Sequence, residues 1–344
     1  MIKKSKTEIM KRVDTFIDVD GQKRGWNEIE NLYFESISFG SPGYKSPQYR
    51  LNSLLADYPI DTAEHIILRY LLINFERIIK AKPDKLHRVI ETLNKRSYND
   101  LIYVKENKEL TGFGKKLEKA FRYQDFRNNK LVELSEWLNI KVCLYCNSQY
   151  TLVVRNQSRI IANFQFDHFF PKNKYPYLGI SLYNLIPSCA SCNLHKSGKE
   201  WNLEQLTHPY YENFHELFEF TLKTKKQLRL LNGETVPDAE INIQLTNHEN
   251  PKVKEYEHVF SLTGTYNRHK DIAKEIFKKA HAYNNGGMEA LLALKSKDGR
   301  QLFSGKEEIQ ALLLANYPLT DDINKRPLSK FMSDMGKQSG LIQD

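Results

Sequence analysis

All four cysteines of the chain fall in two Cys-x-x-Cys pairs, Cys143/Cys146 and Cys189/Cys192, and none is left over. In each pair two thiolates can reach one metal while the turn between them stays unstrained, and two such pairs complete a tetrahedral set. A redox dithiol would need only one copy of the motif. In a reducing cytoplasm a disulfide framework is not the expected use of such pairs. The pattern therefore predicts a structural zinc site that ties residues 143 to 192 into one small unit.

The rest of the chain is long and apolar enough to bury a core. Its 344 residues are 40% hydrophobic and include 19 Tyr and 18 Phe, which excludes a disordered chain and suggests two or three folding units. The longest apolar stretch, around Ile66 to Ile73, is interrupted by Arg69 and falls short of the ~20 residues of a membrane span. The basic start, Met1 to Lys6, is not followed by an apolar signal core, so a cytoplasmic location is expected.

Before residue 140 the periodicity is helical. Asp61-Thr62-Ala63-Glu64 reads as an N-cap ahead of Ile66, Ile67, Tyr70, Leu71 and Phe75, and Pro83 ends that helix or starts the next. Further apolar stripes follow at Phe113, Leu117, Ala120 and Phe121, and at Leu131, Leu134 and Leu138. Between the cysteine pairs the pattern turns to alternation: Tyr150 to Arg155 and Ile160 to Phe166 read as a β-hairpin around Asn156-Gln157-Ser158. A loop with Pro171, Pro176 and Gly179, a short apolar stretch at Leu185-Ile186, and a helix start at Cys189 follow. Beyond residue 205, Phe214 to Leu231 fits strand or helix, and Ile241 to Leu245 alternates like a strand. His269 to Tyr283 and Lys306 to Asn316 read as helices, the first broken at Asn284-Asn285-Gly286-Gly287.

One stretch carries the residue types that phosphodiester hydrolysis needs: a base for water, a divalent cation, and a frame that holds both. His168 is the natural base, because an imidazole titrates near neutral pH. Asp167 adjoins it at a strand end, where successive side chains face opposite ways. Asn193, at the start of the last helix, offers a hard amide oxygen suited to Mg²⁺ beside a carboxylate. Asn184 precedes the short strand, where its side chain can fix the base-bearing segment. His195 is the rival of Asn193, but two helical positions turn a side chain by about 200°, so both cannot face one metal; Asn193 is preferred. Lys196 shares the face of Asn193 and is expected at a phosphate.

Cys143-x-x-Cys146, Asp167-His168-x-x-Pro171-Lys172, Tyr175-Pro176, Asn184-Leu185 and Cys189-x-x-Cys192-Asn193-x-x-Lys196 together resemble the HNH endonuclease superfamily in its zinc-containing form. That resemblance implies a ββα-metal fold with one catalytic Mg²⁺ or Mn²⁺ and a separate structural zinc. It implies His168 as the base, Asn184 as the middle Asn, Asn193 in the last position, and Asp167 as a residue that helps hold the catalytic ion. The expected architecture is α+β: mainly helical flanking regions around a small ββα-metal core with a structural zinc site of four cysteines. The boundaries are 1–140 for a helical N-terminal region, 141–205 for the nuclease core with its zinc knuckles, and 206–344 for a mostly helical α+β C-terminal region. The flanks also resemble HNH proteins of bacterial defence and restriction loci, including the nuclease of Septu-type systems. An ATPase or sensor subunit is the partner that this second resemblance implies.

The charge distribution fits a polyanion. Between Lys141 and Glu200 seven Lys/Arg stand against Asp167 and Glu200, in a chain of net charge +9. Such a surface gives salt-sensitive affinity for nucleic acid independent of sequence. Lys172, Lys174, Lys196 and Lys199 are the expected phosphate contacts, and Tyr145, Phe169, Phe170 and Tyr177 are candidates for base stacking. The reading is a metal-dependent DNA endonuclease of little sequence specificity, acting in anti-phage defence or restriction. RNA cleavage uses the same residues. The alternative from another class is a non-catalytic zinc-ribbon module that binds nucleic acid or protein.

Overall fold

The computed structural model describes residues 15–18, 20–40, 42–127, 130–156, 160–197, 207–212, 216–283, 285–317 and 323–342. The chain divides into two compact units, one built from residues 1–140 and 153–188, the other from 141–152 and 189–344. Both mix helices with short strands, and among the described residues every sheet is a two-stranded antiparallel pair. The class is α+β.

In the first unit, Thr62 starts the helix Ala63–Ile73 by accepting a hydrogen bond from His65 N at 3.3 Å, and Pro83 opens the helix Pro83–Asn94 at a position where its missing N–H costs nothing. The buried face of Ala63–Ile73 is Ile67, Leu68 and Leu71, while Ile66 is exposed. The stripe is thus rotated by one position from the expected one. The helices Gly112–Phe121 and Lys130–Leu138 bury Phe113, Leu117, Ala120 and Phe121, and Leu131, Leu134 and Leu138, as their periodicity requires. Gly114 is obligatory, because a Cβ there would collide with the Ile102 carbonyl oxygen. The helix Trp26–Ser38 places Tyr33 in the core, with its hydroxyl donating to Ile180 O at 2.9 Å.

The strands of this unit are shorter than the alternation suggests. Val153–Arg155 pairs with Ile160–Ala162, and the chain then starts a different pair, Gln165–His168 with Leu185–Ser188. Gln157 and Ser158 of the expected hairpin turn lie outside the described residues.

In the second unit, Phe220–Thr221 pairs with Gln244–Leu245 and is followed by the helix Thr224–Leu231; Phe214 lies outside the described residues. Ile241, Ile243 and Leu245 are all buried, so the alternation is real although only its end is paired. The helix Lys270–Ala282 packs on Ser329–Ser339 and buries Ala273, Ile276 and Phe277. Lys270–Ala282 ends ahead of the expected break, and the next helix, Asn285–Leu292, begins within the Asn-Asn-Gly-Gly stretch, with Asn284 outside the described residues. The helix Lys306–Leu314 ends two residues short of the expected Asn316. No described helix is long and apolar enough to cross a membrane.

Ser329–Ser339 carries a buried ion pair, Lys330 Nζ to Asp334 Oδ1 at 2.7 Å, and Asp334 Oδ2 accepts from Phe220 N at 2.8 Å. Burial pushes the Asp334 carboxyl up from 3.8 to about 6 against the pull of Lys330. A folded-state value above the unfolded one favours folding at low pH, so stability falls as pH rises from about 4 to about 6. Denaturation across that window should show this slope in the wild type and not in Asp334→Asn. At neutral pH, Asp334→Ala strands a buried ammonium and should cost about 3–5 kcal/mol, whereas the double replacement Lys330→Met/Asp334→Leu should cost much less.

Candidate functional site

The four cysteine sulfurs meet in the second unit. Their Sγ atoms all lie within 4.8 Å of one another, with Cys146 and Cys189 3.9 Å apart. A disulfide would hold two of them at ~2.05 Å. A zinc ion with Zn–S bonds of ~2.3 Å places sulfurs at the corners of a tetrahedron with edges of about 3.8 Å, close to the Cys146–Cys189 spacing. The donor set fits Zn²⁺.

Local backbone chemistry builds this convergence. After Cys146 the chain turns through Asn147 at φ 54°, a left-handed conformation that asparagine tolerates better than most residues. The turn is closed by Asn147 N donating to Cys143 O at 2.8 Å and Cys143 N donating to Gln149 O at 2.9 Å. Cys146 Sγ accepts from Ser148 N at 3.5 Å and Ser148 Oγ at 3.2 Å. Cys189 caps the helix Ala190–Lys196, its sulfur accepting from Cys192 N at 3.4 Å. Amide donors and a helix N-terminus both favour the thiolate. Around the first knuckle, Tyr266 Oη donates to Cys146 O at 2.7 Å, and the Tyr145 ring stacks on Phe260 at 4.6 Å.

Asn147 does more than turn the chain. Its Nδ2 donates to Ile323 O at 2.8 Å, its Oδ1 accepts from Lys330 N at 3.1 Å, and its backbone oxygen accepts from Leu328 N at 2.6 Å. The knuckle is thus pinned to the C-terminal segment of its own unit. The one mark of this role in the sequence is an asparagine directly after a Cys-x-x-Cys turn.

Four thiols in one dry cluster cannot all ionise unaided. Burial pushes the Cys143 thiol up, the bond with Cys143 pulls Cys146 and Cys189 down, and the same neighbour drives Cys192 up. A divalent cation removes that conflict by stabilising every thiolate at once.

The expected base and its support lie in the first unit. In the pair Gln165–His168 with Leu185–Ser188, Asp167 stands opposite Ile186 and His168 opposite Leu185. Strand alternation turns the two side chains to opposite faces; Asp167 is buried and His168 half-buried. His168 Nε2 lies 2.9 Å from Gly179 O, and its ring meets Tyr123 edge-on at 4.4 Å. Asn184 is fully buried. Its Oδ1 accepts from Phe170 N at 2.6 Å, and its Nδ2 donates to Phe170 O at 3.1 Å and Leu178 O at 2.9 Å. Phe169 N also donates to Asn184 O at 2.9 Å. Asn184 thereby staples the loop that begins directly after His168.

Other expected residues are placed less favourably for contact with a ligand. Lys172 pairs with Glu118 at 3.3 Å and lies over the Tyr123 ring, and Lys174 lies over Tyr103 and Tyr175. In the second unit Asn193 is half-buried, His195 is exposed and Lys196 is 2% exposed. Lys199, with Arg159 and Glu200 of the basic stretch, lies outside the described residues. The four aromatics expected to stack on bases are core residues instead. Tyr145, Phe169, Phe170 and Tyr177 are all buried, Tyr177 with its hydroxyl donating to Asn99 Oδ1 at 3.0 Å. Packing against neighbouring side chains consumes the ring faces that stacking would need.

Septu protein PtuB of Bacillus thuringiensis is similar to this chain. The two are 30% identical over 100 residues, which cover 28% of this chain and 35% of PtuB. The match thus spans about a third of the length of that relative. No protein-family model and no solved structure matches the chain.

Two outcomes follow from this geometry. Cys192→Ala should reduce bound zinc from one equivalent per chain to a substoichiometric amount, read by metal analysis after dialysis, and lower the melting temperature. Asn184→Ala leaves Phe170 N buried without its acceptor and should cost about 1–3 kcal/mol in urea denaturation, with zinc content unchanged.

Proposed function

We propose that the chain is a metal-dependent endonuclease of the HNH type that hydrolyses phosphodiester bonds in DNA, in the cytoplasm of a bacterium, as part of anti-phage defence. The observation that carries this reading is the hydrogen bond between His168 Nε2 and the Gly179 carbonyl. A carbonyl only accepts, so Nε2 holds the proton and the neutral ring keeps its basic lone pair on Nδ1. Either neutral tautomer has one basic nitrogen; the Gly179 contact selects Nδ1 for that role, on backbone that Asn184 holds in place through Phe170 and Leu178.

In this mechanism His168 Nδ1 takes a proton from the water that attacks phosphorus. Asp167, whose carboxylate is a hard oxygen donor, would hold Mg²⁺ or Mn²⁺, which would supply charge neutralisation at the phosphorane and the leaving oxygen; Asn193, in the second unit, is the other hard oxygen donor of the HNH pattern. Carboxylate and amide oxygens are the donor types that suit such an ion, as thiolates suit zinc. Lys172 and Lys174, on the loop after His168, offer positive charge to the polyanion. The similarity to a Septu protein supports the defence setting, and in that setting an ATPase or sensor subunit restrains the nuclease.

A second reading, a non-catalytic zinc module that binds nucleic acid or protein, draws support from the burial of Asp167 and Lys196. Plasmid nicking with Mg²⁺ or Mn²⁺ separates the two. The nuclease reading expects His168→Ala to cut at least ~10²-fold more slowly than the wild type, with zinc content and melting temperature retained. Equal cutting by the variant contradicts it, as does a wild type that cuts neither labelled DNA nor labelled RNA with any divalent metal, alone or with proteins encoded beside it.

A further inference from the structure

The first unit contains a cavity of about 720 Å³ that none of the chemistry above uses. Arg50, from the helix Pro47–Leu55, is its most unusual wall. The Arg50 side chain is 14% exposed, its Nη1 is buried, and that nitrogen has no hydrogen-bond partner among the described residues. Its Nη2 reaches Asp125 Oδ2 only at 3.8 Å, and the same carboxylate oxygen is held by Arg122 Nε. One carboxylate therefore serves two guanidinium groups. Burial first, and the neighbouring Arg122 second, press the Arg50 guanidinium downward from its ordinary value. Arg50 thus has only a long, shared ion pair and one buried nitrogen open to a further acceptor.

Arg122 is the second unusual feature. It follows the helix Gly112–Phe121 at φ 44°, a left-handed position where glycine or asparagine is the ordinary choice. From there the Arg122 side chain shares the Asp125 carboxylate with Arg50. Lys45, Lys130 and Arg155 also line the cavity and extend its positive field. Arg155 is already engaged by Glu136, with Nη2 to Oε2 at 2.6 Å, and Lys130 reaches Glu133 at 3.7 Å. Arg50 and Arg122, two cations on one carboxylate, thus carry a surplus of charge. Beside them, the half-buried Tyr44 ring and the exposed Ile160 side chain give an apolar wall.

We propose that this cavity binds a phosphorylated small ligand of nucleotide size, its phosphate seated between Arg50 and Arg122 and its base against Tyr44 and Ile160. Guanidinium forks match phosphate oxygens in pairs, which an ammonium cannot do. The cavity volume falls in the ~300–1,000 Å³ range of small-molecule sites. The inference stands independently of the nuclease reading, because it uses none of His168, Asn184, Asn193 or the cysteines.

Calorimetry and thermal shift on the full chain test it, with ATP, pyrophosphate, adenosine and a short single-stranded oligonucleotide as probes. ATP should bind and raise the melting temperature, and adenosine should do neither. Arg122→Gly should weaken ATP binding at least tenfold while the melting temperature of the free protein stays the same or rises, because glycine relieves the left-handed backbone. Arg50→Met should weaken it similarly, and Arg122→Gly keeps the test valid if that variant folds poorly. Absence of any ATP effect at millimolar concentration overturns the proposal, and so does an unchanged affinity in Arg122→Gly. Pyrophosphate binding as tightly as ATP would reduce the cavity to a plain phosphate site and overturn the nucleotide assignment. Binding of the oligonucleotide without binding of ATP would overturn it in favour of a nucleic-acid track.

Discussion

The structure depends first on one electrostatic conflict and its resolution. Four cysteine sulfurs are buried within 4.8 Å of one another, where they can be simultaneously anionic only around a cation. Zinc binding to such sets supplies about 10–16 kcal/mol in small peptides, comparable to the whole stability of a domain at about 5–15 kcal/mol. A metal bound by these four sulfurs would therefore add to the stability of the second unit on a scale comparable to that of its apolar core. The path of the chain gives this a consequence. The chain leaves the second unit at residue 152, soon after the first knuckle, and returns at residue 189, the first ligand of the second pair. A metal held by both cysteine pairs would close the loop of chain that carries Asp167, His168 and Asn184.

Within that loop, positioning is done by backbone bonds more than by charge. Asn184 commits its side chain to the loop after His168, bonding Phe170 in both directions and Leu178 besides. Gly179, at the far end of the same loop, holds His168 Nε2. Loop geometry and imidazole tautomer are thus coupled through a few neutral hydrogen bonds in a dry environment, where each is costly to lose. The donor types divide in a similarly orderly way. Among the described residues the soft sulfurs gather in one cluster without a carboxylate or an imidazole in it, the composition that suits zinc over a harder ion.

What the amino-acid sequence disclosed was the part set by local spacing. The Cys-x-x-Cys turns, the Thr62 cap, Pro83 at a helix start and the buried stripe of Gly112–Phe121 all follow from interactions within a few residues. Pairing was less legible. The run Ile160 to Phe166 looks like one strand, yet its end belongs to a pair with Leu185–Ser188, a partner more distant in the chain than the local alternation can reveal. The aromatics Tyr145, Phe169, Phe170 and Tyr177 looked available for stacking because burial is a tertiary property. No spacing announces Asn147, whose partners Ile323 and Lys330 are far along the chain, or the approach of Arg50 to the local Arg122–Asp125 pair.

The metal among the cysteines is the feature on which the rest of the structure turns, and X-ray absorption at the zinc edge of the purified chain examines it most directly. Four sulfur scatterers at ~2.3 Å, with no nitrogen or oxygen in the first coordination sphere, are the expected result. A chain that folds with its cysteines oxidised to disulfides, or a zinc environment containing nitrogen or oxygen ligands, would contradict it.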